Sequence, residues 1–172
     1  MPYQIWKPEA IMPSEGFILP KNRSVIRKQM RQVIQTEGPV CEKILKRRIL
    51  RAWGISRTGD TIKAVLDACL PHSPVTTTQV GEERVFWPDD TDPAAYRDYR
   101  VGEVEENHRA IDEIPPEEIA NAMQEILLDF TTCEKDTLFR ETVKLLGMSV
   151  VTAKARKYLE FGLQALKESG RL

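Results

Sequence analysis

Apolar positions along the first third of the chain recur at helical spacing. Val25, Ile26, Met30, Val33 and Ile34 define one amphipathic helix, which Glu37-Gly38-Pro39 stops. Cys41, Ile44, Leu45, Ile49, Ala52 and Trp53 mark one side of a second helix, and Gly54 sits where a C-cap takes a left-handed residue. A third helix carries Ile62, Val65, Leu66 and Cys69 and ends at Pro71. The period then changes. Val75-Thr76-Thr77-Thr78 and Arg84-Val85-Phe86-Trp87 read as extended runs on either side of the turn-like Val80-Gly81-Glu82-Glu83, which predicts a β-hairpin over residues 75–87. Three helices followed by a hairpin is the element order of a winged helix, a helix-turn-helix variant.

Helical spacing returns after Pro115-Pro116-Glu117-Glu118, a helix start suited to both proline geometry and the dipole. Helices are expected over Ile119–Leu128, Glu134–Leu146 and Val151–Glu168. A shift of 93 positions aligns residues 26–70 with 119–163 without a gap, pairing Ile26 with Ile119, Leu45 with Leu138, Gly54 with Gly147 and Ser56 with Ser149. Apolar matches alone would follow from any two amphipathic helices. The matched glycine, with an apolar residue and a serine after it, indicates two copies of one module. The fold class expected is mainly α with a small β-hairpin, arranged as tandem winged-helix or helix-turn-helix-like three-helix modules. The organisation expected is an N-terminal extension (1–20), a first winged module (21–88), an acidic linker (89–114) and a second, wingless module (115–172). Trp53 is read as core, and Tyr96, Tyr99 and Ile111 as anchors for the linker.

The 172 residues carry a net charge of −1, which gives no global field toward polyanions. That balance conceals a segregation: residues 21–57 hold eleven Lys/Arg against two Glu, whereas residues 82–118 hold four Arg against thirteen Asp/Glu. A basic block followed by an acidic one pairs internally or leaves a basic face for a polyanion. On a helical wheel, Lys43, Arg47 and Arg51 lie opposite the buried side of the second helix, and Arg48 flanks the core. Arg57 and Lys63 are the cations at the recognition-helix position, diluted by Asp60 and Asp67. Base readout needs several Arg, Asn or Gln on one face, so phosphate contact without sequence preference is the expectation. In the last helix Lys154, Lys157 and Phe161 are expected to project outward on one stripe, opposite Ala155, Leu159, Leu163 and Leu166. A solvated helix face with one incidental phenylalanine explains that stripe equally well.

Catalytic motifs are absent. No phosphate loop, nucleophile elbow or H-E-x-x-H pair occurs, and Asp89-Asp90 lacks the acidic-x-Lys triplet of a metal-dependent nuclease. Cys41, Cys69 and Cys133 form no CxxC pair, and His72 and His108 have no second ligand at metal-site spacing, so neither a metal nor a cofactor is expected. No apolar run is long enough for a membrane, and the N-terminus lacks the order of a signal peptide, so a cytoplasmic location is expected.

Eight strings stand in order along the chain: Glu37-Gly38-Pro39-Val40, Lys46-Arg47-Arg48, Ala52-Trp53-Gly54-Ile55, Arg57-x-Gly59, Phe86-Trp87-Pro88, Ile114 to Ile119, Leu145-Leu146-Gly147 and Ser169-Gly170-Arg171-Leu172. Together they resemble a bacterial domain of unknown function found at the C-terminal end of superfamily I helicase-like proteins. Motif order is kept over residues 20–172. Val150-Val151-Thr152 departs from the family, which tends to repeat a basic-glycine pattern there. The resemblance implies a helicase-associated accessory module, either free-standing or part of a longer protein. The partners expected are DNA, bound through phosphates without sequence preference, or a helicase/ATPase core in the same or another chain. A protein-interaction module that docks such a core is the alternative reading.

Overall fold

The computed structural model describes residues 1–72 and 74–172. Among these, the helices are α1 (Arg23–Glu37), α2 (Glu42–Ala52), α3 (Asp60–Cys69), α4 (Pro116–Leu128), α5 (Lys135–Leu145) and α6 (Ala153–Glu168). The strands are β1 (Val40–Cys41), β2 (Thr77–Val80) and β3 (Glu83–Phe86). The chain divides into two compact units: Ile5–Gln79 with Glu83–Asp90, and Met1–Gln4 with Val80–Glu82 and Thr91–Leu172.

In the first unit, α1 to α3 bury the apolar stripes read from the sequence. Ile26, Met30, Val33, Leu45, Ile49, Ala52 and Leu66 are all buried. Trp53 is fully buried; its indole N–H donates to Gln29 Oε1 at 2.8 Å, and Phe17 meets it edge-on at 5.6 Å. The hairpin forms as expected, with Gly81 at φ +60° in the two-residue turn between β2 and β3. The sequence reading lacked β1. Its two residues pair antiparallel with β3, Val40 opposite Phe86 and Cys41 opposite Val85, so the sheet order is β1-β3-β2. A two-residue strand between two helices has too few positions to show alternation.

Arg48 lies deeper than its wheel position suggested. It is buried with its charge, donating from Nε and Nη2 to the buried Glu37 at 2.8 and 3.0 Å, and the Trp6 backbone N–H donates to the same carboxylate at 2.9 Å. Burial is tolerable because both ions are paired and multiply hydrogen-bonded.

In the second unit, Ile119, Met123, Leu138, Phe139, Val143, Leu159, Leu163 and Leu166 form the core among α4, α5 and α6. Helices α4 and α6 approach closely at Gly162, where a Cβ would overlap the Ile119 side chain. Residues from the acidic segment belong to this unit through a buried ion cluster. Arg100 and Arg109 each donate twice from their guanidinium groups to the fully buried Glu118, at 2.7 to 3.1 Å, and both cations stand over the Tyr3 ring. These guanidinium groups overcome the burial that would raise the Glu118 pKa and hold it at about 2.

The 93-residue spacing reappears in the backbone. Helices α1, α2 and α3 start at residues 23, 42 and 60; α4, α5 and α6 start at 116, 135 and 153. The turn after α2 is a Schellman motif: Gly54 has φ +63°, Ile55 N–H donates to Leu50 C=O, and Gly54 N–H donates to Arg51 C=O. The turn after α5 repeats it at Gly147 (φ +88°), with Met148 N–H to Val143 C=O and Gly147 N–H to Lys144 C=O. A glycine stands at both positions because a left-handed residue there strains any Cβ.

Candidate nucleic-acid interface

Helices α2 and α3 leave a cleft of about 410 Å³ between them, lined by Lys43, Lys46, Arg47 and Lys63 over Leu50 and Leu66, with Asp67 and Thr58 also on its wall. The cleft follows from the local sequence. The buried side of α2 is fixed by Ile44, Leu45, Ile49 and Ala52, so 3.6-residue geometry turns Lys43, Arg47 and Leu50 to its other side. Lys63 comes from the second turn of α3.

These cations are partly answered inside the unit. The Lys46 ammonium lies 2.8 Å from Asp67 and 3.2 Å from Glu42. Burial pulls its pKa down, but the two carboxylates outweigh that and leave it raised. Lys43 stands 3.9 Å from Glu83, whose other oxygen accepts the Lys43 backbone N–H at 2.8 Å. Arg84 is bound to Glu42 at 2.7 Å and lies over the Phe86 ring. Arg47, Arg51, Arg57 and Lys63 are exposed. The cleft thus gathers Lys43, Arg47 and Lys63 from the residues singled out in the sequence and adds Lys46. Arg51 and Arg57 lie outside its lining.

The positions 93 residues later show a different chemistry. Lys46 corresponds to Phe139, a fully buried core residue. Lys43 and Lys63 correspond to Asp136 and Arg156, an ion pair at 3.1 Å. Asp67 corresponds to Glu160, which pairs with Lys135, and both Lys135 and Arg156 lie over the Phe139 ring. Arg47 keeps its charge as Arg140, whereas a ring and two ion pairs stand in the second unit where the other three cations line the first.

The stripe on α6 is likewise tied into its own unit. Lys154 is exposed but pairs with Asp112 at 3.0 Å, and Lys157 lies 5.7 Å from the Tyr158 ring. Phe161, expected to project outward, is half-buried and meets Tyr158 edge-on at 5.6 Å. Among the described residues, no group of three His, Cys, Asp or Glu side chains could hold a metal ion, and no helix is long and apolar enough to cross a membrane.

Every cation of the α2–α3 cleft falls in the stretch that carries a known sequence signature. Residues 15–64 match the family described as a protein of unknown function, DUF3320. The matched segment spans α1, β1, α2 and the first half of α3 and includes Lys43, Lys46, Arg47, Arg51, Arg57 and Lys63. No curated protein and no solved structure matches the chain.

Proposed function

We propose that the chain is a non-catalytic accessory module that holds DNA by its phosphates, through the α2–α3 cleft of the first unit. The observation that carries this reading is the convergence of Lys43, Lys46, Arg47 and Lys63 on one cleft, with Arg51 and Arg57 exposed on the same two helices and their turn. Such a set neutralises phosphates without reading bases. The fold favours it. The order α1-β1-α2-α3-β2-β3, with β3 between β1 and β2, matches the element order expected of a winged helix, which supports reading α3 as the helix at the recognition position. The matched 93-residue spacing of the helices supports reading α4 to α6 as a second copy without the wing. The wing tip carries Glu82 and Glu83, which leaves the helices as the phosphate-contacting face. The helicase-like parent protein is proposed on the motifs from Glu37 to Leu172 alone.

The test is charge reversal. Lys43→Glu, Arg47→Glu and Arg51→Glu together abolish binding of a fluorescent duplex at low salt while far-UV circular dichroism is unchanged. Binding that survives the triple change refutes the proposed face.

One observation favours a second reading, docking of a helicase core or other subunit. Lys46 already holds two carboxylates, Asp67 and Glu42, in the manner of a cation satisfied by protein acids. Copurification of a stoichiometric partner, lost with the same triple change, supports that reading. Duplex binding with no such partner removes it.

A further inference from the structure

A second cleft of the first unit lies along α1 and shares no lining residue with the α2–α3 cleft. It has a volume of about 640 Å³, within the usual range for small-molecule sites. Its lining joins four kinds of group. Lys28 and Arg31 are exposed cations one turn apart on α1. Gln32 and Gln35 add amides on the same helix. The indole of Trp6 supplies a half-buried aromatic surface, and Asp89 and Asp90 supply carboxylates from the segment after β3.

Trp6 is held in place from behind. Its backbone N–H donates to Glu37, which two bonds from Arg48 fix in turn, so the indole is anchored through a buried ion pair. A further cleft of about 390 Å³ also includes Trp6, Lys28 and Gln32 in its lining, so the indole is bordered by open space on more than one side.

The lysine and arginine oppose the two aspartates, so a bare polyanion gains little net attraction here. A ligand that carries several chemistries at once fits better. We propose that this cleft binds a ribonucleotide unit, with the base stacked on Trp6, the phosphate at Lys28 and Arg31, and the sugar hydroxyls donating to Asp89 and Asp90. Each contact has a physical warrant: base–indole stacking, charge-assisted bonds from guanidinium to phosphate, and a carboxylate that accepts from ribose hydroxyls. The amides of Gln32 and Gln35 lie on the same wall to meet the base edge. The ligand is bound and not turned over, so no bond is made or broken. A free nucleotide and a residue of an RNA strand present the same chemistry. The site is separate from the α2–α3 cleft and does not rest on the reading given to it.

Trp53 and Trp87 are fully buried, so Trp6 is the tryptophan that an added ligand can reach. The full chain is titrated with AMP, dAMP, adenosine and a five-residue oligo(rA), by tryptophan fluorescence and by calorimetry. AMP is expected to quench saturably, with adenosine and the Lys28→Glu/Arg31→Glu variant each weaker by about tenfold or more. Asp89→Asn/Asp90→Asn is expected to remove a preference for AMP over dAMP without weakening dAMP binding. Trp6→Leu is expected to lose the calorimetric signal while circular dichroism is unchanged. Oligo(rA) binding more tightly than AMP identifies an RNA strand as the source; equal or weaker binding identifies a free nucleotide. The proposal is overturned if no probe gives a saturable signal up to about 10 mM, the weak end of specific binding. It is also overturned if Lys28→Glu/Arg31→Glu binds as tightly as the parent, or if Arg47→Glu/Lys63→Glu abolishes AMP binding and so puts the ligand in the other cleft.

Discussion

Replacing Glu118 with glutamine removes the carboxylate on which Arg100 and Arg109 converge and leaves two buried guanidinium groups facing a neutral amide. Glu118 is fully buried and both arginines are nearly so, which makes the loss a desolvation problem as much as a lost attraction. Breaking a buried ion pair by removing one partner costs about 3–5 kcal/mol. The same pairing also holds the Glu118 carboxyl below its ordinary range. Its pKa falls from 4.5 to about 2 in the folded chain, and at about 1.4 kcal/mol per unit this is worth about 3 kcal/mol.

Because the folded value lies below the unfolded one, that stability is complete above about pH 5 and is lost as pH falls toward 2. A urea titration followed by far-UV circular dichroism reads the change. All three tryptophans lie in the first unit, so their fluorescence does not report on α4 to α6 directly. Glu118→Gln is expected to lower the midpoint by an amount equivalent to about 3–5 kcal/mol and to flatten the dependence on pH between 5 and 2. A loss under about 1 kcal/mol, with the pH dependence intact, would show that solvent or another acid compensates the two arginines.

Trp53→Ala is expected to cost about 3–5 kcal/mol in a denaturant titration, since it empties a fully buried indole site and strands the Gln29 amide oxygen. Gly54→Ala meets no close neighbour, so its cost is backbone strain at φ +63°, about 1–2 kcal/mol by the same measurement. Gly162→Ala places a methyl group against Cγ2 and Cβ of Ile119 and is expected to cost about 1–3 kcal/mol in the same titration.

The helices and the 93-residue spacing were legible because both rest on local signals. Apolar period and the Gly-apolar-Ser turn act within a few residues, and the paired Schellman motifs at Gly54 and Gly147 are their direct expression. What escaped notice depends on contacts distant in sequence. Arg100 and Arg109 read as charges of the acidic linker and Glu118 as part of a helix start, because nothing local says that three such groups meet over Tyr3. Glu37 and Arg48 were hidden in the same way, one beside a helix stop and the other inside a basic run.

The candidate cleft was half legible. A helical wheel orients Lys43 and Arg47 outward, but it cannot bring Lys63 across from α3 or show that Lys46 is shared between Glu42 and Asp67. Phe161 reads as an exposed aromatic because a wheel shows the side it is on and not its contact with Tyr158. The segment Ile5–Leu19 has no helical period, so the burial of Phe17 against Trp53 and the anchoring of Trp6 left no signal in the pattern.

Affinity for a fluorescent DNA duplex, measured across salt concentrations, tests the central claim most directly. Four cations line the α2–α3 cleft, and each phosphate neutralised on B-DNA contributes about −0.9 to the slope of log K against log[salt]. The full chain is expected to bind without sequence preference and with a slope of about −3 to −4, and the Lys43→Glu, Arg47→Glu, Arg51→Glu variant is expected not to bind. Absence of binding at about 50 mM salt, or binding whose slope is near zero, contradicts the phosphate-contact account.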